Sequence, residues 1–133
     1  GMVCAAIANE ISSSGFPIGR PAAIILGGET TVKVFGSGRG GRNQELALSA
    51  AMKLDANQCV IATLATDGVD GPTDAAGAII DSYTIKRARE AGLSPEECLF
   101  NNDSNTFFST LGDAILTGPT GTNVNDILIM LVA

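Results

Sequence analysis

Three polar loops in this 133-residue chain hold side chains able to do chemistry. The first, GSGRGGRNQE at 36–45, follows a β-branched stretch and precedes a sequence with helical spacing. Glycine-rich loops in that setting hold anions, because bare backbone N–H groups and a helix N-terminus both favour negative charge. Arg39 and Arg42 add planar forks suited to phosphate or carboxylate. Gly40 and Gly41 contribute N–H groups, and Asn43 and Glu45 stand in the first helical turn. The alternative is a flexible surface loop with solvated arginines, in which Glu45 only complements the helix dipole.

The second loop, TDGVDGPTD at 66–74, follows the most continuously apolar strand-like stretch, where ligands of open α/β sheets collect. Asp67, Asp70 and Asp74 can ligate magnesium, a hard cation that takes oxygen ligands, or accept a proton from a hydroxyl. Their spacing is not that of an EF-hand. The competing reading is a turn built from Asp and Gly, with Asp74 capping the segment after it. The third loop, TGPTGTNVND at 117–126, offers Thr120, Asn123 and Asn125 to a polar ligand, although such residues commonly satisfy their own backbone.

Two nucleotide patterns nearly fit the first loop. Gly36, Gly38 and Gly41 match G-x-G-x-x-G, but the preceding strand is charged and no acid stands where a ribose partner is expected. Gly36 and Gly41 also have P-loop spacing, yet Arg42 and Asn43 replace the required Lys and Ser or Thr. What survives is an arginine-bearing anion loop.

Composition narrows the classes further. The net charge of −6 argues against nucleic acid or an anionic membrane as partner. Arg20, Lys33, Arg39 and Arg42 nonetheless cluster in a stretch with a single acid, Glu29. The chain has no histidine, which removes imidazole-based nucleophile activation and histidine-ligated metals. Three cysteines without CxxC spacing suggest buried thiols in a reducing cytosol, hence a cytoplasmic protein. No apolar run is long enough to span a bilayer.

These loops need a scaffold. The sequence predicts one α/β domain over 1–133: three layers, with a mixed sheet between helices. A leading helix over 1–15 ends at Gly15. Strands over 22–26 and 30–35 form a tight hairpin through Gly27–Gly28–Glu29. A helix comes next over 42–54, then a central strand over 59–66 covered on both faces. A short strand over 78–81 leads to a helix closed by Gly92. Ser94 and Pro95 start another helix through a capping box. Asp103 or Ser104 starts a third, ended by Gly112. Strands over 114–118 and 126–132 close the chain as a hairpin around the third loop.

The combination of ILGGETTV, GGRNQELAL, TDGVDGPTDAAGAIID, NDSNTFF and GPTGTNVNDI resembles the MOFRL domain, the C-terminal part of glycerate 2-kinases once named hydroxypyruvate reductases. The resemblance runs from about Ala22 onward and implies a cleft shared with a larger N-terminal α/β domain, in the same or a separate chain. There the γ-phosphoryl of ATP passes, with magnesium, to a hydroxyl of D-glycerate. It implies Arg39 and Arg42 on phosphate or on the substrate carboxylate. It implies Asp67 or Asp70 as magnesium ligand or hydroxyl acceptor and Asp74 as a further metal ligand, and it sets Thr120, Asn123, Asn125 and Asp126 in the matching GPTGTNVND region. Phosphoryl transfer needs positive charge, a metal and positioning rather than imidazole, which suits a chain without histidine. The alternatives are a domain of a nicotinamide-dependent hydroxypyruvate reductase and a non-catalytic anion-binding or interaction module. The face a first domain would cover is also open to homodimerisation.

Overall fold

The computed structural model describes residues 1–133. In chain order the elements are α1 (Met2–Ser14), β1 (Ala22–Gly28), α2 (Arg42–Ala51), β2 (Cys59–Ala65), β3 (Gly77–Asp81), α3 (Thr84–Glu90), α4 (Pro95–Phe100), α5 (Ser104–Leu111), β4 (Ala114–Ile115) and β5 (Asp126–Val132). Local chemistry sets several boundaries as the sequence predicts. Helices α1 and α5 end at Gly15 (φ 72°) and Gly112 (φ 75°), in the left-handed conformation that glycine adopts at no steric cost. Helix α4 begins where Ser94 accepts from the Glu97 N–H with Pro95 at the first helical position.

The sheet order is β1-β5-β2-β3-β4, and every pairing is antiparallel. The α/β class and the single domain stand, while the expected mixed sheet is antiparallel throughout. The two predicted hairpins are also absent. β5 does not turn back on β4 but crosses to the centre, between β1 and β2. The stretch 30–35 forms no strand, because the amides of Phe35 and Gly36 donate to the Asn102 side chain rather than to a neighbouring strand.

One sheet face carries the core. Ile61, Ile80, Leu128 and Met130 pack beneath α1, α2 and α5, which contribute Ile11, Leu48 and the edge-to-face pair Phe107–Phe108. Fully burying such a side chain stabilises by about 1.5–3 kcal/mol, and truncating Leu48 to Ala costs about 2–5 kcal/mol. The opposite face has no helical cover, so the domain has two layers rather than three. Val60, Ala62, Leu64, Ile127 and Ile129 are half-buried there, and Ile25, Ile79 and Leu131 stand exposed. The strand over Cys59–Ala65 is therefore central but covered by helices on one side only.

Antiparallel pairing places the ends of β1 and β2 beside the start of β5, since Asp126 is the register partner of both Gly28 and Ala65. The first turn of α2 reaches the same end, where Arg42 meets Asp126. All three polar loops therefore gather at one end of the sheet.

Candidate functional site

The glycine loop is held against a second segment rather than left bare. The N–H groups of Phe35 and Gly36 donate to Asn102 Oδ1, Ser37 to Asn101 Oδ1, Gly38 to Asn101 O and Arg39 to Asp103 Oδ1. The Asn105 N–H returns a bond to Arg39 O at 2.8 Å. A Cβ on Gly36 or Gly38 would collide with Asn101 and Asp103, so glycine is required by this close approach. These amides are engaged and cannot cradle a phosphate.

The start of α2 is occupied as well. Asp70, fully buried, accepts from the N–H groups of Asn43 and Gln44, both at 2.9 Å, and from their side-chain amides at 3.2 and 3.0 Å. Its carboxylate sits where the helix dipole and orphan N–H groups favour an anion. Gly41, the residue before α2, has no side chain to cap it, and Asp70 reaches in from 29 residues away in sequence to do so. Asp70 is thus a structural cap rather than a hydroxyl acceptor or metal ligand. Asn43 is likewise internal, holding Asp70 while its carbonyl accepts from Thr63 Oγ1.

Arg42 points the other way. Its Nε and Nη2 donate to the two oxygens of Asp126 at 2.6 and 2.8 Å, with Glu29 at 3.8 Å. The hydrogen bonds it donates to Asp126 raise its pKa, so the guanidinium stays charged. Arg42 and Glu45 wall two adjoining clefts. One, of about 250 Å³, is bordered by Gly40, Gly41, Gly71 and Pro72. The other, of about 620 Å³, is bordered by Lys33, Phe35 and Phe100. The N–H groups of Gly40, Gly41 and Arg42 donate to nothing within the chain. Burial pushes the Glu45 carboxyl above its ordinary value. Asn102 and Ser104 lie alongside and pull the other way. Neither closes a hydrogen bond of good geometry, and both Glu45 Oε1 and Ser104 Oγ are left without partners.

The remaining candidates lie apart. Arg39 is exposed, donating to Pro72 O at 3.1 Å with Asp74 at 3.9 Å. Asp67 accepts from the Val69 N–H and from Asn123 Nδ2, while Thr120 donates to Thr66 O. Asn125 adopts φ 69° and takes the Thr66 amide and hydroxyl on its carbonyl. Thr120, Asn123 and Asn125 thus fasten the third loop to the second. Asp67, Asp70 and Asp74 do not converge, and no three His, Cys, Asp or Glu side chains are grouped for a metal. Asp70 is enclosed by amides, Asp74 stands exposed with Arg39 at 3.9 Å, and Asp67 accepts one bond on each oxygen at the surface with lone pairs to spare. Gln44 is the important residue that loop composition did not single out, and nothing local to it carried a signal; Asp126 is marked in the sequence only as part of the GPTGTNVND motif.

A family model, described as the MOFRL family, matches residues 22–126. The chain belongs to the MOFRL family. It is 51% identical over 133 residues to the D-glycerate 2-kinase of Thermotoga maritima and 45% identical to the glycerate 2-kinase of Pyrococcus horikoshii. The crystal structure of the T. maritima glycerate kinase superposes with a TM-score of 0.97 at 48% identity, covering 99% of this chain and 32% of that one. This MOFRL chain spans about a third of the length of the curated relatives it matches, 32% and 30% of these two. No helix of the MOFRL chain is long and apolar enough to cross a membrane.

Proposed function

We propose that this MOFRL domain forms one wall of a glycerate 2-kinase site, in which ATP with magnesium phosphorylates glycerate against an N-terminal kinase domain. The observation that carries this is Arg42. Its fork is fixed on one edge by Asp126 and borders a cleft with three unengaged N–H groups. Such an edge takes a phosphoryl oxygen or the glycerate carboxylate bidentately. Arg39 lies beside Pro72, which borders the same cleft, and suits a second, looser contact.

Magnesium commonly binds one or two carboxylates and completes its shell with phosphate oxygens and water. Asp67 fits that need as a single ligand, whereas a cage of Asp67, Asp70 and Asp74 does not. When bound, the ion neutralises charge on the transferring phosphoryl group. Around Arg42 one cation faces two carboxylates, Asp126 and Glu29, so an incoming anion is favoured when it brings a cation with it. Cys59, its thiol pushed to about 11 by burial, is a core residue with no part in the chemistry and is compatible with a cytoplasmic protein.

The reductase reading loses its main support, because Gly36 and Gly38 of the apparent dinucleotide fingerprint are pressed against Asn101 and Asp103, and Gly41 against Asp70. Calorimetry on the chain with ATP-magnesium, inorganic phosphate, glycerate and NADH tests the proposal. The expected result is anion binding that Arg42→Ala removes. In a chain joined to a glycerate kinase N-terminal domain, Arg42→Ala should abolish turnover. Binding of NADH alone, or Arg42→Ala with undiminished anion affinity and turnover, would reject it.

A further inference from the structure

We infer that Asp126 and Asp70 are positioning residues that preset Arg42 for its ligand, one acting on the guanidinium and the other on the backbone beneath it. The inference rests on the anion role proposed for Arg42 and deepens it. Arg42 occurs at the first position of α2, where an arginine side chain ordinarily samples many rotamers. Here two partners remove that freedom.

Asp126 takes the Nε and Nη2 edge at 2.6 and 2.8 Å, leaving the Nη1 donors and one Nη2 hydrogen unengaged. Asp126 is itself rigid, because it opens the central strand β5 and is in register with strands on both sides. Asp70 holds the amides of Asn43 and Gln44, the two residues after Arg42, and so fixes the direction in which the Arg42 side chain leaves the helix. Gln44 extends the brace to Asn105 and Thr73, both buried. A group held in its bound orientation gives up less entropy on binding. Neither aspartate needs to touch the ligand: Asp70 is enclosed by four donors and Asp126 is directed at Arg42.

The test uses the chain labelled with ¹⁵N. Five arginines give Nε–H signals, and that of Arg42 should exchange slowly with solvent because it points at Asp126. Asp126→Asn turns an amide donor or a weaker acceptor toward Nε and should return the signal to fast exchange. Asp70→Asn should speed exchange of the Asn43 and Gln44 amides. Both should weaken inorganic phosphate binding about tenfold, the loss expected when a charge-assisted contact is misdirected. If Asp70→Asn does not fold, Asp126→Asn carries the test alone.

Folded variants that lose the slow Arg42 signal yet keep phosphate affinity within about twofold, while Arg42→Ala abolishes binding, would overturn the inference and leave the anion role standing. Unaltered phosphate affinity in Arg42→Ala would overturn the anion role. An Arg42 Nε–H signal that exchanges fast before any substitution would overturn the positioning geometry by itself.

Discussion

Two arginines in this domain each face a pair of carboxylates, and they do opposite things. Arg87 donates through Nη1 to both oxygens of Asp81 and through Nη2 to Asp113 and Thr84, tying α3 to β3 and to the turn before β4. Its donors are directed into that contact, and Arg87 borders neither of the clefts beside Arg42. Arg42 gives one edge to Asp126, keeps its other donors unengaged and borders a cleft. The residue types nearly coincide, yet one arginine closes a fold and the other is half open. An arginine serves binding when part of its fork is pinned and part is not, with a void beside it.

The largest expected effect lies beneath Arg42. Asp70→Ala leaves four donors in the α2 turn without their acceptor and should destabilise the domain by about 3–5 kcal/mol, read from urea unfolding. A destabilisation as small as that of an exposed turn residue would dissolve the distinction between the pinned and the open arginine. The next is the exchange of roles between the two arginines. Arg87→Ala should cost about 1–2 kcal/mol of stability, reduced by its partial exposure, and leave phosphate affinity unchanged. Arg42→Ala should cost a similar amount and lose phosphate as well. Equal effects on binding would show that the cleft is irrelevant.

Glu45, which shares the cleft wall with Arg42, gives a smaller effect with a definite sign. Its folded pKa lies above the ordinary 4.5, so the protonated form is favoured in the native state. That contribution is complete below about pH 4.5 and is lost as pH rises through the raised value. Relative to the parent, Glu45→Gln should gain stability between acid and neutral pH, and thermal unfolding across that range should show the difference vanish at low pH. The smallest effect belongs to the third loop. Asn123→Ala removes two exposed bonds, the one it donates to Asp67 at 3.2 Å and the one it accepts from the Asn125 N–H at 3.0 Å, and should change stability by no more than about 0.5 kcal/mol.

Much of the scaffold was legible because its signals are local. The cap at Ser94, the stops at Gly15 and Gly112 and the central strand of 59–65 each depend on residues within a few positions. The stretch 30–35 failed because alternation of Val32 and Val34 indicates extended backbone but not whether a strand lies alongside. The site was legible only as three polar loops. Its decisive contacts span long separations: Arg42 to Asp126 across 84 residues, and Asn43 to Asp70 across 27. An aspartate in a DG turn looks the same whether it binds a metal or caps a distant helix. Only packing separates Asp70 from Asp67.

The uncovered sheet face has a thermodynamic consequence. Ile25, Ile79 and Leu131 remain in water, and sequestering each would be worth about 1.5–3 kcal/mol at most. A chain with such a face behaves as a surfactant does, with one side wetted and the other reducing its contact with water by whatever association is offered. Where copies of the chain pair through this face, the melting temperature becomes a function of concentration. Dilution alone should lower it.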